Sequence, residues 1–112
     1  MNHRDFSKSV LDSLSSAIVV VDSDLLLRHM NPAAEVPLAI SFDSNVGEPI
    51  TYFFYESDEA DRQLKQAAAQ ANHYTKRQVE WRLSTGSSIS VDYTVTPYGD
   101  REGLIIEIQM ID

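Results

Sequence analysis

Three histidines are the side chains of this sequence best suited to hold a metal ion or a haem. His3, His29 and His73 lie far apart in the chain, and no two of them have the spacing of a helical metal-binding motif. His73 follows a predicted helix, where it would be either a haem ligand or a residue that complements the negative end of the helix dipole. We favour the second interpretation, because His73 lies beyond the last apolar turn of that helix.

The acidic residues fit solvated turns better than metal sites or catalytic pairs. The Asp22-Ser23-Asp24 run joins two apolar segments and lacks the further acidic residues and the glycine of a calcium-binding loop, which favours a turn. Glu56 and Asp58 are interpreted in the same way, as carboxylates at a turn and at a helix start in contact with water. No charged group is expected to point into the core.

Motifs of known enzymes are missing from the sequence. It contains no nucleophile elbow, phosphate-binding loop or dinucleotide-binding glycine pattern. The absence of cysteine excludes disulfides, thiolate metal sites and cysteine nucleophiles. Seventeen acidic against nine basic residues give a net charge of -8, which would repel nucleic-acid phosphates and anionic lipids. We therefore predict no catalytic residue, metal or cofactor, and no nucleic-acid or membrane partner.

The size of the chain fits one small domain. Its 112 residues, 43% of them hydrophobic, can bury a single core. No apolar stretch approaches the roughly 20 residues that a membrane helix needs, and the first residues do not lead into a signal-peptide core. We expect a cytoplasmic domain over residues 17–112, preceded by an amphipathic helix over residues 1–16.

The leading helix is predicted from an apolar face in residues 3–16. Phe6, Val10, Leu11 and Leu14 lie near one side of it. The pattern leaves open whether this face covers the helix's own domain or pairs with a second copy.

Two apolar runs around Asp22-Ser23-Asp24 predict a hairpin, and two helices follow it. Asn31 can cap a helix that begins at Pro32, and Pro37 requires that helix to be short or kinked. Ser57 can cap a second, longer helix, which we expect to end at Asn72 or His73.

Three strands complete the predicted sheet. The first two alternate apolar and polar residues, and Pro97 is expected to break the pairing of the second. The last strand places Leu104, Ile106, Ile108 and Met110 on the core face but also has Ile105 and Ile111 on the other face. These two residues predict a second buried surface, supplied by dimerisation or by the leading helix.

Several of these segments together resemble the N-terminal PAS domain of the NtrB family of nitrogen-regulation sensor histidine kinases. The similarity rests on Leu11-Asp12-Ser13-Leu14, Asn31-Pro32-Ala33-Ala34, Gly47 with Pro49, and Gly103-Leu104-Ile105-Ile106-Glu107. It implies an α+β PAS fold, with a five-stranded antiparallel sheet, short helices on one face and an N-terminal amphipathic helix.

The resemblance also implies a role in a two-component system. The parent would be a histidine kinase and phosphatase that acts on the response regulator NtrC and is itself controlled by the PII protein, with its kinase domains downstream of this chain. This domain would serve dimerisation and signal relay without catalysis of its own. The expected homodimer interface comprises Phe6, Val10, Leu11, Leu14, Ile105 and Ile111.

An alternative that the resemblance leaves open is a sensor with a small molecule in its core. Such a ligand would lie between the sheet and the helices, although the same residues are also what a small domain needs simply to fold. Photochemistry through a cysteine-bound flavin or chromophore is excluded, since the chain has no cysteine. The candidate pocket liners are Met30, Phe53, Leu64, Trp81, Tyr93 and Ile106.

Overall fold

The computed structural model describes residues 16–111, which form a single sheet and three helical segments. The leading helix predicted for residues 3–16 lies outside the described residues, apart from Ser16. The elements, in chain order, are β1 (Ala17–Asp22), β2 (Leu27–Met30), α1 (Pro32–Leu38), a 3₁₀ turn (Ile50–Tyr52), β3 (Phe54–Tyr55), α2 (Asp58–Gln70), β4 (Tyr74–Leu83), β5 (Ser88–Tyr98) and β6 (Gly103–Met110).

All neighbouring strands of the sheet are antiparallel, in the order β2-β1-β6-β5-β4-β3. This confirms the predicted α+β architecture, with six strands in place of the predicted five. The additional strand is β3, where Phe54 pairs with Leu83 and Tyr55 with Arg82. Two residues in an aromatic cluster are too short to show a strand period, so sequence patterning could not reveal this strand.

The two faces of the sheet differ in burial. Val19, Ile106 and Val95 are paired across β1, β6 and β5, and all three are buried in the core. The next pairs along the same strands, Val20 with Ile105 and Ile105 with Thr96, therefore lie on the opposite face. Val20 and Ile105 are half-buried there. The last strand is two-sided, as its sequence predicts.

The turn between β1 and β2 is held by Asp22. Its Oδ1 accepts hydrogen bonds from the backbone N–H groups of Asp24 and Leu26, both at 3.0 Å. Leu25 adopts a left-handed backbone conformation, with φ +64°, and its side chain is buried. The predicted turn is confirmed, and the Asp22 carboxylate stabilises it.

Asn31 forms the junction between β2 and α1. Its Oδ1 accepts from Ala34 N at 3.1 Å and from Ile18 N at 2.9 Å, and its Nδ2 donates to Ser16 O at 2.7 Å. The predicted cap is confirmed, and the same side chain also ties the helix start to β1. Pro37 lies in the last turn of α1, which ends one residue later, as expected.

The second helix begins as predicted and ends slightly early. Ser57 Oγ accepts from Ala60 N at 3.0 Å. The helix stops at Gln70 because Ala71 takes the left-handed conformation, with φ 55°, so the predicted end at Asn72 or His73 was two or three residues too late. The buried face of α2 consists of Ala60, Leu64, Ala67 and Ala68.

The expectation that Pro97 breaks the pairing of β5 was wrong. Pro97 pairs with Leu104 of β6, and β5 continues to Tyr98. The pairing of β4 with β5 reaches only Val95, so at Pro97 the strand has no β4 neighbour and the missing N–H removes no bond on that side. At the following turn, Gly103 lies so close to β1 that a Cβ there would collide with the Val21 backbone.

Candidate functional site: a carboxylate between the second helix and the sheet

Glu56 lies between β3 and α2, and its carboxylate joins three side chains of the sheet. Oε1 accepts a hydrogen bond from the Tyr93 hydroxyl at 2.8 Å and another from Trp81 Nε1 at 3.1 Å. Oε2 forms an ion pair with Lys76 Nζ at 3.0 Å. The Glu56 side chain is 15% exposed and the Lys76 side chain 24% exposed, so the ion pair borders solvent while the other two donors lie inside.

Local structure brings these groups together from distant parts of the sequence. Ser57 caps α2 immediately after Glu56, which fixes the direction of the chain at this point. On the sheet, Lys76 pairs directly with Tyr93, so both side chains point to the core face. A bulge between Lys76 and Val79 shifts the register of β4, and Val79 and Trp81 follow on the core face.

Aromatic rings pack behind the carboxylate. Phe54 stacks on Trp81 with ring centroids 3.9 Å apart and an interplanar angle of 8°. The rings of Trp81 and Tyr93 are tilted with centroids 5.0 Å apart, and Tyr74 meets Tyr93 edge-on at 6.3 Å. This packing holds the indole and phenol donors in fixed positions, since each ring is constrained on more than one side.

The surroundings of the two tyrosines keep their hydroxyls protonated. Burial, together with the hydrogen bond to Glu56, raises the pKa of Tyr93 well above its usual range. Burial also raises the pKa of Tyr74 to about 12, and the nearby Glu56 charge adds to the shift. The Tyr74 hydroxyl is buried and makes no hydrogen bond of good geometry among residues 16–111, although the neighbouring Tyr93 hydroxyl lowers the pKa of Tyr74 and so partly offsets the rise. The Glu56 carboxylate therefore accepts from three donors, those of Lys76, Trp81 and Tyr93, and the Asp61 carboxylate lies near enough to interact with its charge.

Two predictions about charge were wrong at this point. Glu56 was expected to be a solvated carboxylate, and the core was expected to receive no charged group. Instead, the Glu56 side chain is mostly buried and bonds to two aromatic residues of the core. Its partners lie 20, 25 and 37 residues further along the chain, beyond the reach of any local pattern. The available signal was the three donor-bearing residues on core-facing strand positions, which require an acceptor.

All six candidate pocket liners lie in the core, and each is at most 3% exposed. Trp81 and Tyr93 belong to the Glu56 cluster. The other four pack within the apolar core, and whether the six enclose a ligand stays a prediction. A separate groove of about 510 Å³ runs between α1 and the β5–β6 region. It is lined by Tyr93, by Ala33 and Pro37 of α1, and by polar residues such as Thr94 and Gln109.

The remaining candidate residues do not converge on one site. His29 lies in β2 and packs edge-on against Phe42, whereas His73 is exposed after α2. Within the described part of the chain, no three histidine or acidic side chains form a group that could hold a metal ion. Ile105 and Ile111 are half-buried. Phe6, Val10, Leu11 and Leu14 lie outside the described residues, so the expected interface stays a prediction.

The fold and the sequence together assign a family. The model of the PAS fold family matches residues 6–111, and the chain belongs to the PAS family. This confirms the predicted PAS fold. No curated protein matches the sequence.

Solved structures with the same fold come from several kinds of protein. The PAS domain of nitrogen regulation protein NR(II) from Vibrio parahaemolyticus is 22% identical, with a TM-score of 0.73 over 92% of this chain and 95% of that one. A PAS domain from a two-component sensor histidine kinase is 14% identical, with a TM-score of 0.71 over 97% and 96%. The Rhodobacter sphaeroides LOV protein is 12% identical, with a TM-score of 0.83 over 100% and 69%. At these identities the likeness establishes the fold alone.

Across the residues that the structure describes, the helices are too short or too polar to cross a membrane.

Proposed function

We propose that this chain is the regulatory PAS domain of a cytoplasmic sensor histidine kinase of nitrogen regulation, and that it acts by dimerising and relaying a signal. Catalysis belongs to the kinase domains of the parent protein, which would phosphorylate NtrC under the control of PII. The similarity to the NR(II) PAS domain supports the nitrogen-regulation part. The signal relay is inferred from strand β6, which has apolar side chains on both faces of the sheet.

This strand connects the core to the outer face of the sheet. Ile106 is buried in the core, while its neighbour Ile105 points to the other side and pairs with Val20. Ile18, two residues before Val20, lies on the same outer side and is 4% exposed. A change in core packing would therefore move the outer side of β6 around Ile105, because adjacent residues of one strand alternate between the two sides. A second copy packed against the half-buried Val20 and Ile105 would receive the change.

Light scattering on the purified chain tests the dimer. Ile105→Lys places a charge in the apolar pair with Val20, and we expect it to shift a wild-type dimer to monomer. Gln109→Lys is the matched control, because Gln109 is exposed on the same side of the same strand. A wild-type chain that is monomeric at every concentration, or an Ile105→Lys dimer that is as stable as wild type, would refute this interface.

A chimera tests the nitrogen-regulation role. This chain replaces the PAS domain of Vibrio parahaemolyticus NR(II), and phosphate transfer to NtrC is measured with and without PII. We expect transfer that responds to PII and that Ile105→Lys alters while Gln109→Lys does not. A chimera whose transfer is unaffected by both substitutions would argue against relay through β6.

The second candidate function, a small-molecule sensor, is favoured by one observation. The Glu56–Lys76 ion pair connects solvent with the aromatic core through partly exposed side chains. A ligand that exchanges with one partner of this pair would shift the packing of α2 against the sheet.

A further inference from the structure

The carboxylate of Glu56 has two fixed donors and one replaceable donor. Trp81 and Tyr93 are 1% and 3% exposed and are held by ring packing. Lys76 bonds to Glu56 through the end of a long flexible side chain that borders solvent. If the Lys76 ammonium moves into water, Oε2 loses its partner while Oε1 keeps both of its bonds.

From this asymmetry we propose that Glu56, Tyr93 and Trp81 form a recognition site for a small primary ammonium ligand, and that Lys76 is its internal occupant. The position of the Lys76 ammonium defines what the ligand must supply: a cation with N–H donors directed at Oε2. The ligand needs no preformed cavity, because it takes the volume that the Lys76 side chain vacates.

The buried hydroxyl of Tyr74 supports a ligand in this position. Tyr74 lies two residues before Lys76 on the same face of β4, and its ring meets that of Tyr93. Its hydroxyl makes no hydrogen bond of good geometry among the described residues, with only the Tyr93 hydroxyl nearby, which is uncommon for a buried polar atom. A ligand with a polar atom beside its ammonium group would give this hydroxyl a partner that Lys76 does not provide.

Competition with Lys76 would set the sensitivity of the site. A tethered group acts at an effective concentration of roughly millimolar or more, so a free amine must exceed that level to displace it. Removal of the Lys76 ammonium should therefore increase the affinity for a free amine by about tenfold or more. Displacement would also free β4 beside its bulge, where Gln78 has φ 55° and its N–H bonds to Asp92. The site rests on the sensor interpretation and is independent of the proposed dimer.

The single tryptophan of the chain gives a direct readout. Trp81 Nε1 donates to Glu56, so its indole N–H resonance in a proton–nitrogen spectrum reports on the carboxylate. The purified chain is titrated with n-propylammonium chloride, which has the atoms that Lys76→Ala removes beyond Cβ. Tetramethylammonium chloride, a cation without N–H donors, and n-propanol, without charge, are the matched controls.

We expect n-propylammonium to shift the indole resonance of the wild-type chain in a saturable manner, with affinity about tenfold or more higher in Lys76→Ala. Neither control compound should do this, and Glu56→Gln should abolish the response. If Lys76→Ala does not fold, Lys76→Met retains the apolar stem without the ammonium group and replaces it in the comparison.

Three results would overturn the site: no saturable shift in the Lys76 variants, an equal response to tetramethylammonium, or binding to the variants but never to wild type. Light scattering on the same samples separates this outcome from the proposed dimerisation. If the chain is dimeric and does not bind n-propylammonium, the proposed site is refuted and the dimer is not. If the chain is monomeric and binds n-propylammonium, the proposed dimer is refuted and the site is not.

Discussion

The chain passes from a strand into an α-helix twice, and the two junctions differ in how the start of the helix is bonded to the sheet. At the first junction, the single residue Asn31 caps α1 and also bonds to the backbone of β1. At the second, Ser57 caps α2 while Glu56 bonds to the sheet through side chains only. Asn31 is fully buried, whereas the Glu56 side chain is 15% exposed. The first junction is therefore a fixed structural joint, and the second has a partner that can exchange with solvent.

Asn31→Ala should have the largest effect on stability, about 3 kcal/mol. The substitution removes the cap, typically about 1 kcal/mol, and it leaves Ile18 N without its partner in a buried position and Ser16 O without its partner in a partly buried one. Chemical denaturation followed by circular dichroism measures the loss.

Two further variants separate the two roles of Asn31. Asn31→Ser keeps a capping oxygen and should recover about 1 kcal/mol, because only the bonds to β1 are then lost. Asn45→Ala removes an exposed side-chain bond to a backbone carbonyl, that of Ser41, and should change little. Equal losses for Asn31→Ala and Asn31→Ser would mean that the cap itself contributes nothing.

Glu56→Leu should destabilise the fold by about 2 kcal/mol, less than Asn31→Ala. It leaves the indole of Trp81 and the hydroxyl of Tyr93 without their acceptor, but nearby solvent and the freed Lys76 reduce the cost. Glu56→Gln keeps an acceptor oxygen and should lose about 1 kcal/mol or less. Urea denaturation with Trp81 fluorescence measures both. If both substitutions cost the same, the ion pair with Lys76 rather than the aromatic donors stabilises this junction.

Local contacts at the two junctions could be predicted from the sequence, whereas contacts between distant residues could not. Asn31 and Ser57 were predictable, because a cap bonds to backbone groups three residues away and depends only on local residue types. Alternation likewise predicted the core faces of β5 and β6, including the outward position of Ile105. The role of Glu56 was not predictable, because its partners converge only once the register and the bulge of β4 are fixed. The strand β3 was missed for the same reason: it exists only through pairing with β4.

Ser57→Ala should cost about 1 kcal/mol, which is the usual value for a helix cap. Since Ser57 shares no bond with the sheet, the loss should add to that of Glu56→Gln in the double variant if the two tasks at this junction are independent. Thermal denaturation of the single and double variants measures this additivity. A coupling above about 0.5 kcal/mol would show that capping and the Glu56 contacts act as one unit. Ser87→Ala, in an exposed turn, is the control.

Tyr74→Phe should have the smallest effect at neutral pH, within about 0.5 kcal/mol of wild type, because the hydroxyl it removes is buried without a partner. At alkaline pH the two proteins should diverge. The folded pKa of Tyr74 is raised to about 12 from 10, so the unfolded chain releases its proton first, and wild-type stability falls as the pH rises from 10 towards 12. Tyr74→Phe removes part of that fall, while Tyr93 still contributes in the same direction. Tyr52→Phe, which removes a hydroxyl at an exposed position, is the control substitution. A marked destabilisation by Tyr74→Phe at neutral pH would show that the hydroxyl has a partner in solution, and the second junction would then be as fully satisfied as the first.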